Sequence, residues 1–184
     1  MRALTPDELE AGLEDILGSP KDEGVVELIV RRPRVGEREV LDVGALDLVD
    51  GLVGDSWRKR RGFKTPNGEP NPEMQLNVMN SRVIALVAET RDRWQLAGDQ
   101  LYIDLDLSAA NLPPGTRLAV GQAVIEVTAV PHTGCEKFRA RFGGAAIKLV
   151  NSKIGREHNL RGINAKVVRP GAVRGGDTVK KLPR

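Results

Sequence analysis

Apolar positions along this chain follow two periods, one helical and one of strands. Thr5-Pro6-Asp7-Glu8 opens a helix: Thr5 caps it, Pro6 fits the first helical position and Glu8 completes a capping box. Leu9, Leu13, Ile16 and Leu17 then share one face, and Gly18-Ser19-Pro20 ends the run. This predicts a capping helix within residues 1–22 that covers one flank of a second unit, residues 23–184. In that unit Val25, Val26, Leu28, Ile29 and Val30 form a largely β-branched run closed by Pro33, and residues 37–43 read as its hairpin partner. Residues 45–53 are short and apolar, and a strand or a helical turn fits them equally. Residues 64–72, rich in Pro, Asn and Gly, predict an exposed, mobile loop. A strand at 74–80 follows, then a helix capped by Asn80 or Ser81, carrying Val83, Ile84, Leu86 and Val87 to about Arg93. Residues 101–107 alternate as a strand, and 116–120 and 122–130 are two strands about a tight turn at Gly121. Residues 144–150 predict a short helix, 151–160 are polar without a clear period, and strands return at 163–168 and from 175. So many short strands predict a mainly β, barrel-like fold with a few peripheral α-helices, since closure removes exposed edges.

Composition narrows the function. The formal charge is +3, from Lys+Arg 28 against Asp+Glu 25, which favours anionic partners only weakly. Aromatic residues are 3% of the chain, which argues against a nucleic-acid partner held by base stacking. No apolar run approaches the length of a membrane span, and the acidic start at Asp7-Glu8 lacks a signal core. The single cysteine forms no internal disulfide and suits a reducing cytosol, so a cytoplasmic protein is expected.

The chemistry concentrates in Pro131-His132-Thr133-Gly134-Cys135-Glu136-Lys137-Phe138-Arg139-Ala140-Arg141. A lone cysteine is most often a small buried hydrophobe. Cys135 instead lies past the end of the apolar run 123–130, after a Thr133-Gly134 turn and amid Lys137, Arg139 and Arg141. The thiolate is the form that attacks or binds a metal, and neighbouring cations favour it. Arg58-Lys59-Arg60-Arg61 is a second group of cations, read either as a solvated loop or as an anion-attracting rim.

The order of these segments resembles the MOSC family, named after the C-terminal domain of molybdenum cofactor sulfurases. Four pieces carry the resemblance over roughly residues 24–181. They are Gly54-Asp55, the strand and Pro-Gly loop running from Leu101 to Gly121, Cys135 after its strand, and Ile163 to Gly171 with Gly175-Gly176-Asp177. Where the family often has histidine after its glycine-aspartate pair, this chain has Ser56-Trp57. The resemblance implies a MOSC-type β-barrel and a pocket that handles molybdenum cofactor (molybdopterin) or activated sulfur around Cys135. Cys135 would be the catalytic residue, as metal ligand or persulfide carrier, since thiolate matches soft metals and sulfur. Asp55, Arg82, His132, Thr133, Lys137, Arg139 and Arg141 would form the cofactor site, with the arginines suited to its phosphate.

Three functions fit this reading. The first is a cofactor-binding or sulfur-carrier domain loaded by a cysteine desulfurase-like sulfur donor. The second is a cofactor-dependent reductase of N-hydroxylated compounds; the chain lacks the cysteines of an iron–sulfur cluster, so an electron-donor protein would serve it. The third is a non-catalytic β-domain that binds anions. His132 and Cys135 have zinc-like spacing, but only His158 and carboxylates remain to complete a ligand set. Pyridoxal phosphate is not expected, because cofactor sulfurases mobilise sulfur in a separate, larger domain.

Overall fold

The structure, a computed structural model, describes residues 4–60 and 65–183. Arg61 of the basic run and Lys64, the start of the expected loop, lie outside the described residues. Eleven strands appear among the described residues: β1 (Glu23–Arg31), β2 (Glu39–Leu41), β3 (Val43–Asp47), β4 (Gly51–Leu52), β5 (Leu76–Asn80), β6 (Leu101–Asp104), β7 (Arg117–Val120), β8 (Ala123–Val127), β9 (Ile163–Arg169), β10 (Gly171–Arg174) and β11 (Thr178–Lys181). Seven of them close a barrel in the order β1-β6-β5-β9-β8-β7-β11, with β11 returning to β1. Every pair in the ring is antiparallel except β5–β6, which needs a helical crossover. Helix α3 (Ser81–Ala88) and a 3-10 stretch, Arg91–Ala97, supply it. β2 extends the sheet beyond β1, while β3, β4 and β10 form a small second sheet. Residues 45–53, ambiguous in sequence, are the β3–β4 hairpin.

The apolar pattern serves two layers. Val26, Ile29, Val78, Ile103, Ile125 and Ile163 point into the barrel, where Leu46, Leu52 and Val173 of the small sheet join them. Val30, Met79 and Tyr102 face outward and are covered by the helices. A register shift in β1 between Val26 and Leu28 explains how Val26 and Ile29, three apart, both face inward. Both faces of β1 are therefore apolar, and its sequence is a run rather than an alternation.

Two helical expectations change. The predicted first helix is two, α1 (Pro6–Ala11) and α2 (Leu13–Leu17), with Gly12 between. A Cβ at Gly12 would sit 2.6 Å from Leu86 Cδ1 of α3, so any larger residue there would have to push the Leu86 side chain aside. The capping box is present, with Glu8 N donating to Thr5 Oγ1 and Thr5 N to Glu8 Oε2. The short helix expected at 144–150 is the second half of α4 (Glu136–Asn151), which bends at Gly143. Phe138, Phe142, Ala146 and Val150 form a buried row at every fourth position. The cations between them obscure that row in the sequence. The polar stretch after α4 holds α5 (Lys153–Glu157), where Ser152 Oγ accepts from Gly155 N.

Candidate functional site

The end of the 91–97 stretch gathers arginines. Gly98 terminates it in the left-handed region, φ 88°. Its final carbonyls then lack helical partners. Four successive ones are each met by a different arginine. Gln95 O accepts from Arg38 Nε at 3.2 Å, Leu96 O from Arg141 Nη1, Ala97 O from Arg161 Nη2 at 3.0 Å, and Gly98 O from Arg32 Nη1 at 2.7 Å. The negative end of the backbone dipoles thus holds cations drawn from the end of β1, the β2 approach, α4 and the start of β9.

Two of these arginines have buried carboxylates. Asp55 grips Arg32 through both oxygens, at 2.8 and 2.9 Å, and also accepts from the backbone N of Arg32 and Trp57. The side chains of Asp55 and Arg32 are 0% and 1% exposed. Asp99, equally buried, takes Arg161 Nη1 on both oxygens at 2.9 and 2.8 Å. Burial pushes the Asp99 carboxyl up and Arg161 opposes it. Arg161 Nε is buried without a partner, and its guanidinium lies 4.9 Å from the Phe138 ring centroid.

His132 locks onto this frame. Arg32 Nη1 donates to Asn77 Oδ1, which fixes the Asn77 amide and turns its Nδ2 toward Asn164 Oδ1 and His132 Nδ1. His132 Nδ1 is therefore an acceptor, and the ring proton sits on Nε2, 3.5 Å from Asp99 Oδ1. Burial, with Arg161 and Arg32 close by, holds the imidazole well below its usual pKa and keeps it neutral. Both ring nitrogens face inward. His132 thereby anchors the segment that leads to Cys135.

The other two arginines of this cluster, Arg38 and Arg141, and Arg60 close to them, have no carboxylate of their own among the described residues. Arg38, Arg60 and Arg141 are half-buried. Burial pulls Arg60 down to about 10, and Arg32, Arg38 and Arg141 push the same way against Asp55. Arg38 is lowered by burial, then by Arg141 and Arg32. Arg60 Nε donates to Ser56 Oγ, and among the described residues its Nη groups have no partner. Half-buried cations set close to one another without an acid between them suit an anion such as phosphate.

Cys135 is exposed at the N-cap of α4, where its carbonyl accepts from Arg139 N. It follows His132 by three residues, a span of at most ~11 Å. Arg141 lies six residues further along α4, a rise of ~9 Å. Of the cations predicted around the thiol, Arg141 alone enters the cluster. Lys137 and Arg139 are exposed, and Arg139 faces Glu136 at 3.4 Å. Thr133 is exposed and lines a neighbouring cavity. Arg82 is placed elsewhere, paired with Asp104 at 2.8 Å and Asp15 at 3.3 Å. Asp55 contributes by fixing Arg32, with its own oxygens buried. Sequence reading missed Arg32, Arg38, Asn77, Asp99, Arg161 and Asn164. Their one signal is a polar residue set within or beside apolar runs, as in Leu76-Asn77-Val78 and Ile163-Asn164-Ala165. Among the described residues no group of three or more His, Cys, Asp or Glu side chains is placed to hold a metal ion. No helix among them is long and apolar enough to cross a membrane.

Comparison with curated proteins gives no match. The solved structure of the YuaD protein from Bacillus subtilis is similar, with TM-score 0.62 and 17% identity over 88% of this chain and 97% of that one. YiiM from Escherichia coli is similar at TM-score 0.54 and 20% identity, over 87% of this chain and 70% of that one. At these identities the likeness is one of fold. A family model, the MOSC domain, matches residues 69–180, which include β5 to β9, α4 and Cys135. With that match over more than half its length, and a closed barrel to carry it, this chain belongs to the MOSC domain family.

Proposed function

We propose that this domain binds molybdenum cofactor, with Cys135 as the soft ligand and Arg38, Arg60 and Arg141 as the receptor for its phosphate. The observation that carries the reading is the cluster of half-buried arginines without carboxylates of their own among the described residues, one of which, Arg141, shares α4 with the exposed thiol at its N-cap. The donor set fits the group: a thiolate suits molybdenum, and guanidinium forks suit phosphate. When bound, the cofactor supplies two-electron redox chemistry at its metal. The chain's own residues hold and orient. Arg32–Asp55 and Arg161–Asp99 fix the cluster's floor, and His132 pins the turn that presents Cys135. Electrons would come from a partner protein, because one cysteine cannot hold an iron–sulfur cluster. An exposed free thiol also suits a reducing, cytoplasmic setting.

The exposure of Cys135 supports a second reading, in which it carries persulfide sulfur received from a cysteine desulfurase-like donor. One experiment separates the two. The chain is purified from a molybdenum-replete host and assayed for molybdenum, pterin and cyanide-releasable sulfur. Cofactor binding gives metal and pterin in near-equal amounts, lost together in Cys135→Ala. Releasable sulfur without metal supports the carrier. Neither, in protein that is folded and freshly isolated, sinks both.

A further inference from the structure

We propose that the cavity beside residues 127–133 binds a small organic acid with an apolar body, and that Arg156 receives its carboxylate. The cavity measures about 460 Å³, within the roughly 300–1,000 Å³ typical of small-molecule sites. It lies between the loop before β7, the segment leaving β8, and α5. Leu112, Val127, Val150 and Ile163 give it aliphatic walls, while no Asp, Glu or Lys among the described residues lines it. Arg156 is the one permanent cation that lines it among the described residues.

The hydrogen bonding of the wall leaves that cation as the natural contact. Asn164 Nδ2 donates to Val130 O and its Oδ1 accepts from Asn77. Thr128 Oγ1 donates to Glu73 O, and both His132 nitrogens face away into the arginine frame. Arg156 uses only Nε, which donates to Asn151 O at 2.9 Å, and its two Nη groups have no partner among the described residues. An apolar recess with one under-used guanidinium and no carboxylate selects an apolar body carrying negative charge. Thr133, on the cavity's wall, precedes Cys135 by two residues, so at most ~7 Å of backbone separates them. His132, which the arginine frame holds through both ring nitrogens, also lines this cavity.

The test is direct binding to the purified chain and needs no metal. Benzoate, benzyl alcohol and acetate are titrated while the methyl resonances of Val127, Val150 and Ile163 are followed. Benzoate should shift them saturably, and the alcohol and acetate should each bind about tenfold more weakly, having lost the charge or the body. Arg156→Gln, at an exposed position, should weaken benzoate about tenfold and leave benzyl alcohol unchanged. Ala109→Trp, exposed at the edge of the cavity, should block both. Circular dichroism of each variant shows that the fold is kept. Benzoate that leaves these methyls unmoved, binds Arg156→Gln as well as the parent, or is displaced by equal inorganic phosphate overturns the proposal. Molybdenum content should be the same in Arg156→Gln, so failure here leaves the cofactor reading standing.

Discussion

Two sets of arginines meet at the 95–98 carbonyls, and they behave differently. Arg32 and Arg161 each hold a buried carboxylate in two contacts, and burial closes over both pairs. Arg38 and Arg141 reach the same carbonyls half-buried, while Arg60, near enough for their charge to act on it, meets the Ser56 hydroxyl instead. The first set is neutralised and fixes geometry. The second is left with surplus positive charge, which burial makes costly. The difference separates a frame from a receptor. Residue type alone does not make that distinction; the presence of a dedicated acid does.

The comparison breaks most readily at the frame. Asp55→Ala leaves Arg32 buried and uncompensated, and removing one partner of a buried pair costs about 3–5 kcal/mol. Urea unfolding should show that loss, and Asp55→Asn, which keeps part of the hydrogen bonding, should lose less. A change under 1 kcal/mol in Asp55→Ala would mean that the Arg32 pair does not hold the frame.

His132 tests how tightly the frame is joined to the cysteine loop. Its folded pKa is depressed, so between that value and the ordinary one the unfolded chain binds the extra proton. The stability it contributes is complete above about pH 6.5 and falls as pH drops toward the folded pKa, by at most about 1.4 kcal/mol per pH unit. Unfolding free energies measured from pH 7.5 to 5 should show this slope, and His132→Gln should flatten it. An unchanged slope in the variant would place the proton uptake on another group.

The receptor set predicts the opposite sign. Arg60→Gln removes a half-buried cation that repels Arg38 and Arg141. Stability should stay level or rise by up to about 1 kcal/mol, a small gain because solvent screens the side chain. Inorganic phosphate should protect the parent against heat, by about 1.4 kcal/mol at ten times its Kd, and protect Arg60→Gln much less. Equal protection of both would remove Arg60 from the anion site.

The sequence made the barrel legible and most of the site opaque, for physical reasons. The strand at 116–120 announces itself because one of its faces is partly exposed, and those at 101–107, 122–130 and 163–168 because turn residues bound their apolar runs. Cys135, His132 and Arg141 stand out as a cluster in one short stretch. The frame does not, because Arg32, Asp55, Asn77, Asp99 and Arg161 come from five separate segments that meet only after the barrel closes. Asn77 and Asn164 interrupt apolar strands, a signal that a buried polar contact exists but not with what. Arg82, expected among the cofactor-site cations, instead pairs with Asp104 and Asp15 on another flank.

Arg82 also supplies the mildest test of the comparison, because it has dedicated acids but little burial. Its side chain is 27% exposed, and Asp104 receives its Nε and Nη2 at 2.8 and 3.1 Å. The hydrogen bond to Asp104 raises its pKa and outweighs the lowering by burial, so it stays charged throughout the accessible range. Solvent screens such a pair, and Arg82→Gln should cost about 0.5–1 kcal/mol in urea unfolding. Phosphate protection should match the parent, because Arg82 joins Asp104 and Asp15 on the α2–α3 flank while the receptor gathers at the 95–98 carbonyls. The pH slope assigned to His132 should also persist. A loss near that of Asp55→Ala would show that burial is not what sets the strength of these pairs. Lost phosphate protection would extend the receptor to this flank and erase the division between the two sets.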